Sequence, residues 1–367
     1  MIKFGVIGYG YWGPNVARNC HIPDKCELVA ISDPSSASLK RASQAHPGVQ
    51  LSTNYKDVLN SPVIDAVAIV TPVWTHYEIA KAALMSGKHV FVEKPFTSSV
   101  AEAEELISLA SSRKLQMMVD HTFLFTGAVK KMRQLVDDGT LGKLYYYDST
   151  RVNLGLFRHD IDVIWDLAPH DLSIMDYVIQ RDPEALVATG ERHLNGHADV
   201  AYITIYFPDN IIAHINVNWL SPVKVRTTLL GGEKKMLVWN DLDADEKIKV
   251  YDKGVAITNG SGLYDLLVSY RSGDMWCPKI EQTEALRAEV EYFVDCLTNG
   301  VVPINDGIAG LRVVKLLESA ALSLKERGSI VRFNRTGQFP MPANLGPIGM
   351  VDKAASAVAP GVVPVIT

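Results

Sequence analysis

Lys3-Phe4-Gly5-Val6-Ile7-Gly8-Tyr9-Gly10-Tyr11-Trp12-Gly13-Pro14 decides how the chain is built. The apolar run stops at Gly8, and a helical stretch follows over Pro14–Cys20. A strand, a GxGxxG turn and a helix in that order form a dinucleotide cradle. Gly8 allows the tight turn, Gly10 lets the backbone approach a pyrophosphate, and Gly13 lets helix and strand pack closely. Free N–H groups and the helix dipole then meet the phosphates. Tyr11 and Trp12 lie inside the turn and count with the glycines as cofactor-binding. Asp33 ends the next strand, where a carboxylate accepts hydrogen bonds from both ribose hydroxyls and repels a 2′-phosphate. The expected cofactor is therefore NAD, with NADP disfavoured, although Arg41 nearby softens the contrast.

Working outward, short apolar runs alternate with helical stretches through the first third. Strands are expected at Lys3–Gly8, Glu27–Ser32, Ala66–Thr71, His89–Glu93 and Gln116–Asp120, with helices at Thr75–Ser86 and Ser98–Arg113 between them. Such alternation predicts a parallel sheet covered on both faces, a Rossmann domain over residues 1–122. Beyond it the period changes. In Ile211–Trp219 the residues Ile211, Ala213, Ile215, Val217 and Trp219 share one face, and Ile212, His214, Asn216 and Asn218 the other. That period of two, repeated at Val200–Phe207, predicts a large, mostly antiparallel sheet. Helical patterns at Thr283–Thr298 and Ile308–Arg327 close this second α/β domain, residues 123–335, which is expected to bind substrate and to oligomerise. Residues 336–367 read as an extended tail.

Composition narrows the class. Of 367 residues, 47% are hydrophobic and 21% charged, the balance of a globular protein with ample core. A net charge of -5 offers no general attraction to nucleic acid or anionic lipid. No apolar run reaches the roughly 18 residues that span a bilayer, and the N-terminus reads as a strand of a cytoplasmic protein rather than a leader. Cys20, Cys26, Cys277 and Cys296 have no CxxC spacing, so reduced thiols and no metal site are expected.

Two further segments carry chemistry. Glu93-Lys94-Pro95 falls at the carboxyl end of an expected parallel strand, where open α/β sheets bind ligands. A lysine there can bond cofactor ribose and a substrate hydroxyl, or simply be solvated. Asp166-Leu167-Ala168-Pro169-His170 sets a carboxylate and an imidazole four residues apart, on one face if helical. A histidine oriented by a carboxylate suits general acid–base work, and a structural histidine suits the same spacing equally well.

Together these segments resemble the glucose–fructose oxidoreductase, inositol dehydrogenase and sugar dehydrogenase family. The resemblance rests on Gly8–Gly13, on Thr71-Pro72 with His76, on Glu93-Lys94-Pro95, and on Asp166 with His170. It implies a Rossmann domain joined to a domain with a large antiparallel sheet. It implies that Lys94 binds the reacting hydroxyl, that His170 transfers its proton, and that Asp166 orients and polarises the site. It also implies that Thr71, Pro72, His76 and Glu93 belong to the cofactor cleft, and that Lys94–Pro95 is cis. One departure stands out: the family often has glycine two residues after the aspartate, where this chain has Ala168 followed by Pro169. That variant resembles a branch of nucleotide-sugar enzymes.

The expected activity is hydride transfer between nicotinamide and a secondary hydroxyl, or ketone, of a nucleotide-linked or carboxylated pyranose. Alternatives are a free sugar or inositol dehydrogenase, a non-catalytic NAD-binding sensor, and a glycosidase that uses NAD transiently. His121, Thr122, Arg151, Asn153, Arg158, Asp162, Trp276, Pro278 and Lys279 are candidates for the substrate pocket. Arg151, Arg158 and Lys279 suit an anionic handle, unless they pair with Asp160, Asp162 or Asp274. The expected partners are a small sugar and further copies of the chain, as a homodimer or homotetramer.

Overall fold

The computed structural model describes residues 1–333 apart from 156, 157, 159, 195 and 260–265; the expected tail from 336 lies outside the described residues. The first six strands are β1 (Ile2–Ile7), β2 (Cys26–Ser32), β3 (Gln50–Ser52), β4 (Ala66–Ile69), β5 (His89–Val92) and β6 (Met117–Val119). They form one parallel sheet in the order β3-β2-β1-β4-β5-β6. Helices α1 (Gly13–Asn19), α2 (Ser36–Ala45), α3 (Tyr55–Asn60), α4 (His76–Met85) and α5 (Val100–Arg113) connect them. Ala66 and Ala68 of β4 bury in one cluster and Val67 and Ile69 in the other, which is why the strand reads as a continuous apolar run. The strand order reverses between β1 and β4, and the crevice beyond their carboxyl ends is the binding position of such sheets.

After α6 (Gly127–Asp137) come β7 (Leu144–Leu154), α7 (Val163–Ile179), β8 (Ala185–Glu191), β9 (Val200–Tyr206), β10 (Ile212–Asn218) and β11 (Leu220–Gly232). Then follow β12 (Met236–Asn240), β13 (Ile248–Asn259), β14 (Leu266–Trp276), α8 (Ala285–Asn299), α9 (Gly307–Lys325) and β15 (Val331–Arg332). The nine strands form a second sheet, β14-β13-β12-β11-β7-β10-β9-β8-β15, in which only β7 and β10 run parallel. The period of two is observed: Ile211, Ala213, Ile215, Val217 and Trp219 are all buried, and His214 on the opposite face is exposed. α7 and α9 cover the apolar face.

Helix α8, expected to close the second domain, instead completes the core of the first. Its stripe of Leu286, Val290, Phe293 and Val294 packs on the parallel sheet, with the Phe293 ring 6.3 Å from Phe4 and 6.1 Å from Phe91. The chain therefore returns to its first unit, and the mouths of the two sheets are held in one body. No described helix is long and apolar enough to cross a membrane. All four cysteines are free thiols, and no metal-holding cluster occurs among the described residues.

Candidate active site

The glycine turn has the geometry its spacing implied. Gly8 has φ +100°, and a Cβ there would lie 2.2 Å from the Val70 carbonyl oxygen. A Cβ on Gly13 would meet the Gly8 oxygen at 2.6 Å, whereas one on Gly10 would meet nothing within 4 Å. Gly10 thus opens onto free space of the kind a pyrophosphate needs. Tyr11 is 90% exposed beside it and Trp12 is partly exposed. Asp33 accepts from Tyr9 N at 2.7 Å and from Ser35 N at 2.8 Å, which ties the end of β2 to the turn and leaves lone pairs for further donors. Arg41 donates to Tyr9 O at 3.1 Å and flanks the same spot.

Lys94 leaves the end of β5 ahead of a cis peptide to Pro95. Its Nζ donates to the backbone oxygen of Asp166 at 2.9 Å and lies 4.0 Å from Asp166 Oδ1. Pro169 cannot donate to the Trp165 carbonyl, one residue before the carbonyl that receives Lys94, so the helix is loosened where the lysine docks. Asp162 caps this helix, its Oδ1 accepting from Trp165 N at 3.0 Å. The other oxygen of Asp166, Oδ2, accepts from Trp219 Nε1 at 3.2 Å. Asp166 therefore pairs with Lys94 and Trp219 rather than orienting the His170 ring, which lies one turn on.

His170 rests edge-on against Phe123, with ring centroids 5.1 Å apart. Burial first, then the charges of Lys94, Arg151 and Arg226 and neighbouring His121, push its pKa well below the ordinary histidine value. The imidazole is thus held in its neutral form, with a lone pair on one ring nitrogen. His121, 2% exposed, is likewise held neutral by burial, at about 4, and its Nε2 has no hydrogen-bond partner.

Other candidates are placed differently from expectation. His76 is 1% exposed, with its ring nitrogens 2.9 Å from Pro95 O and 2.8 Å from Thr71 O. It clips the loop after β4 to the Lys94 turn instead of lining the cofactor cleft. The Glu93 carboxyl also turns inward. Arg151 is 4% exposed and its Nε lies 2.5 Å from Asp171 Oδ2, so its charge is already matched. Arg158 pairs with Asp160 at 3.1 Å. Trp276 sits at the outer edge of the large sheet under Lys235 Nζ, 5.1 Å from its ring centroid, and Pro278 and Lys279 continue that edge into the loop before α8. None of these three has a described contact with Lys94, Asp166 or His170. Asn153 and Trp219 both border Gly155: a Cβ there would lie 3.0 Å from Asn153 Nδ2 and 3.2 Å from Trp219 Cδ1.

Behind Lys94 lies a group that the sequence reading missed. The carboxyls of Glu93, Asp120 and Glu289 meet in the interior, and Glu93 Oε1, Asp120 Oδ2 and Glu289 Oε2 have no other described donor. Burial and then the Asp120 charge push both glutamates well above the usual carboxylate range, which favours the protonated form that can donate to Asp120. Asn305 Nδ2 donates to Glu289 Oε1 at 2.8 Å, Thr122 donates to Asp120, and Lys94 N donates to Glu93 Oε2 at 3.1 Å. The readable signal was Glu289, a carboxylate on the otherwise apolar stripe of α8. Arg226, Phe123 and Trp219 were also missed. Arg226 has the same strand parity as buried Thr228 and Leu230, and that was its signal.

Comparison with known proteins identifies both units of the chain. Residues 2–121 match the oxidoreductase family with an NAD-binding Rossmann fold, and residues 129–238 match the GFO/IDH/MocA C-terminal domain. The chain is 28% identical over 271 residues to UDP-N-acetylglucosamine 3-dehydrogenase of Acidithiobacillus ferrooxidans, covering 71% of this chain and 78% of that protein. It is 24% identical over 349 residues to myo-inositol 2-dehydrogenase of Thermotoga maritima, covering 90% and 98%. A putative oxidoreductase structure from Magnetospirillum magnetotacticum superposes with TM-score 0.74 at 27% identity, covering 87% and 99%. With both of its units matched, the chain belongs to the Gfo/Idh/MocA family of NAD-binding oxidoreductases.

Proposed function

We propose that the protein is an NAD-dependent dehydrogenase or ketoreductase acting on a secondary hydroxyl, or ketone, of a nucleotide-linked or carboxylated pyranose. The observation that carries this reading is the meeting of Lys94 with Asp166, one turn from a neutral His170, at the carboxyl end of β5. Gly8, Gly10, Gly13 and Asp33 fit a dinucleotide: the space over Gly10 is open, and Asp33 stands where a ribose would meet it. Bound there, the nicotinamide supplies the hydride chemistry. The chain's own groups handle the proton. Lys94 donates to the reacting oxygen and stabilises negative charge on it, Asp166 and Trp219 hold Lys94 in place, and His170 takes the hydroxyl proton. In the reductive direction His170 returns it.

The similarity to a UDP-N-acetylglucosamine dehydrogenase favours a nucleotide-linked sugar. A second reading, a free sugar or polyol, is favoured by the similarity to an inositol dehydrogenase over nearly the whole chain. A panel of free and nucleotide-linked sugars followed by nicotinamide absorbance tests both; no turnover of any sugar with either nicotinamide cofactor would sink the proposal. Asp33→Ser should lower the wild-type preference for NAD over NADP by about tenfold, a loss of one or two charge-assisted hydrogen bonds. Equal wild-type efficiency with both cofactors would remove the NAD assignment. The outward face of the large sheet, with Tyr202 50% and Tyr206 40% exposed, supports a homodimer or homotetramer. A monomer in light scattering would remove that.

A further inference from the structure

Arg226 and Arg151 stand directly opposite each other on β11 and β7, on the sheet face turned toward α7. Like charges so paired repel, and a sheet does not keep them there for stability. The two guanidiniums rest on one ring: Phe123 lies 4.6 Å from Arg151 and 6.0 Å from Arg226, and its edge meets His170 at 5.1 Å. Their neutralisation differs. Arg151 is locked to Asp171, both nearly fully buried. Arg226, 35% exposed, has one described hydrogen bond, from Nη1 to Asp241 at 3.4 Å, and Lys247 Nζ competes for that aspartate at 3.5 Å. Around the site Lys94 meets Asp166, Arg151 meets Asp171, and Arg226 and Lys247 share Asp241. Arg158 pairs with Asp160 and also feels the Asp166 charge.

We propose that Arg226 is a specificity-determining residue that anchors a carboxylate carried on the sugar ring itself. The inference rests on the sugar-oxidoreductase reading above and narrows its substrate class. Nε and Nη2 of Arg226 are the open donors of a planar fork, and that fork matches a carboxylate in two parallel hydrogen bonds. Arg226 and His170 flank the same phenyl ring, at 6.0 Å and 5.1 Å, and the Arg226 charge is felt at His170, so an anion on Arg226 and a hydroxyl at His170 are placed to belong to one small sugar. The partial desolvation of Arg226, which together with Arg151 lowers its pKa, makes an added anion more favourable than at an open surface.

The test compares UDP-glucuronate with UDP-glucose, and free glucuronate with glucose, in the wild type, Arg226→Met and Arg226→Lys. The nucleotide is constant within the first pair, so only the carboxylate differs. The wild type should favour the carboxylated member of each pair at least about tenfold in kcat/KM. Arg226→Met should raise KM for the glucuronates about ten- to hundredfold with kcat nearly unchanged and KM for the neutral sugars unmoved. Arg226→Lys, which keeps charge and stem but not the fork, should recover only part of the loss. Equal effects of Arg226→Met on both members of a pair would overturn the proposal, because the residue would then serve the diphosphate or the fold. Calorimetric binding of glucuronate to the NAD-loaded protein separates the two readings. Binding that Arg226→Met abolishes, without turnover of any sugar, would sink the oxidoreductase reading and keep this one. Turnover of glucuronate that Arg226→Met leaves intact would do the reverse.

Discussion

Lys94 stands between two charged clusters of opposite character. In front of it, Arg151 and Arg226 crowd the neutral His170 with positive charge. Behind it, Glu93, Asp120 and Glu289 are three carboxyls sunk in the interior, and burial pushes the two glutamates toward their protonated form. The front cluster is half open, and there Arg226 shares Asp241 with Lys247. The rear one is closed, with two of its carboxyls pushed toward the protonated form beside Asp120, and it joins the ends of β5 and β6 to α8. The difference teaches that buried charge serves two ends here. Where the groups face the cleft, donors are left for a ligand; where they face the core, protonation lowers the charge.

The strongest way to break this comparison is to delete its front. Lys94→Ala and His170→Ala should fold and bind NAD and lose about 10²–10⁴-fold in turnover. Because His170 is held neutral, the acid limb of kcat/KM for oxidation should fall well below the ordinary histidine value of about 6.5. A variant with near-normal turnover, or an acid limb at or above that value, would remove His170 from the role of base.

Arg151→Met probes the balanced pair within the front cluster. It strands Asp171, 2% exposed, and should cost about 3–5 kcal/mol in chemical unfolding. A loss under about 1 kcal/mol would mean that Arg151 is held for the ligand, as Arg226 is.

The rear cluster gives a smaller effect with a distinct signature in pH. Glu289→Ala leaves Asp120 and Asn305 short of a partner and should cost about 1–3 kcal/mol. Glu289→Gln keeps an oxygen for Asn305 and offers an N–H to Asp120, so it should be nearly neutral. The sign of the pH dependence follows from the raised values. The folded state holds protons that the unfolded carboxyls release near pH 4–5, so stability falls as pH rises above that range. Melting temperatures of the wild type should decline toward alkaline pH more steeply than those of Glu289→Gln. Parallel slopes would show that Glu289 carries its charge in the fold.

Much of this was legible in the residues. The glycine turn, Asp33 and the strand-end position of Lys94 follow from local rules, because a tight turn, a helix start and the end of a parallel strand each constrain a few consecutive residues. The large sheet was legible from the alternation in Ile211–Trp219. The role of α8 was not: its stripe of Leu286, Val290, Phe293 and Val294 says that the helix is buried but not against which sheet. His76 matched a family position, yet both of its ring contacts are backbone carbonyls that side-chain identity does not reveal.

The sequence by itself determined the parallel sheet and its glycine cradle, and it set Lys94 at a strand end and Asp166 and His170 one turn apart, since these depend on spacing within single segments. Only the tertiary structure decided what each charge meets. Arg151 and Arg226 are 75 residues apart in the chain and are neighbours only through the β7–β11 register. Glu289 reaches Asp120 only because α8 folds back onto the first sheet. Electrostatic energy depends on distance and burial, and neither is written in the order of residues until strands pair and helices pack.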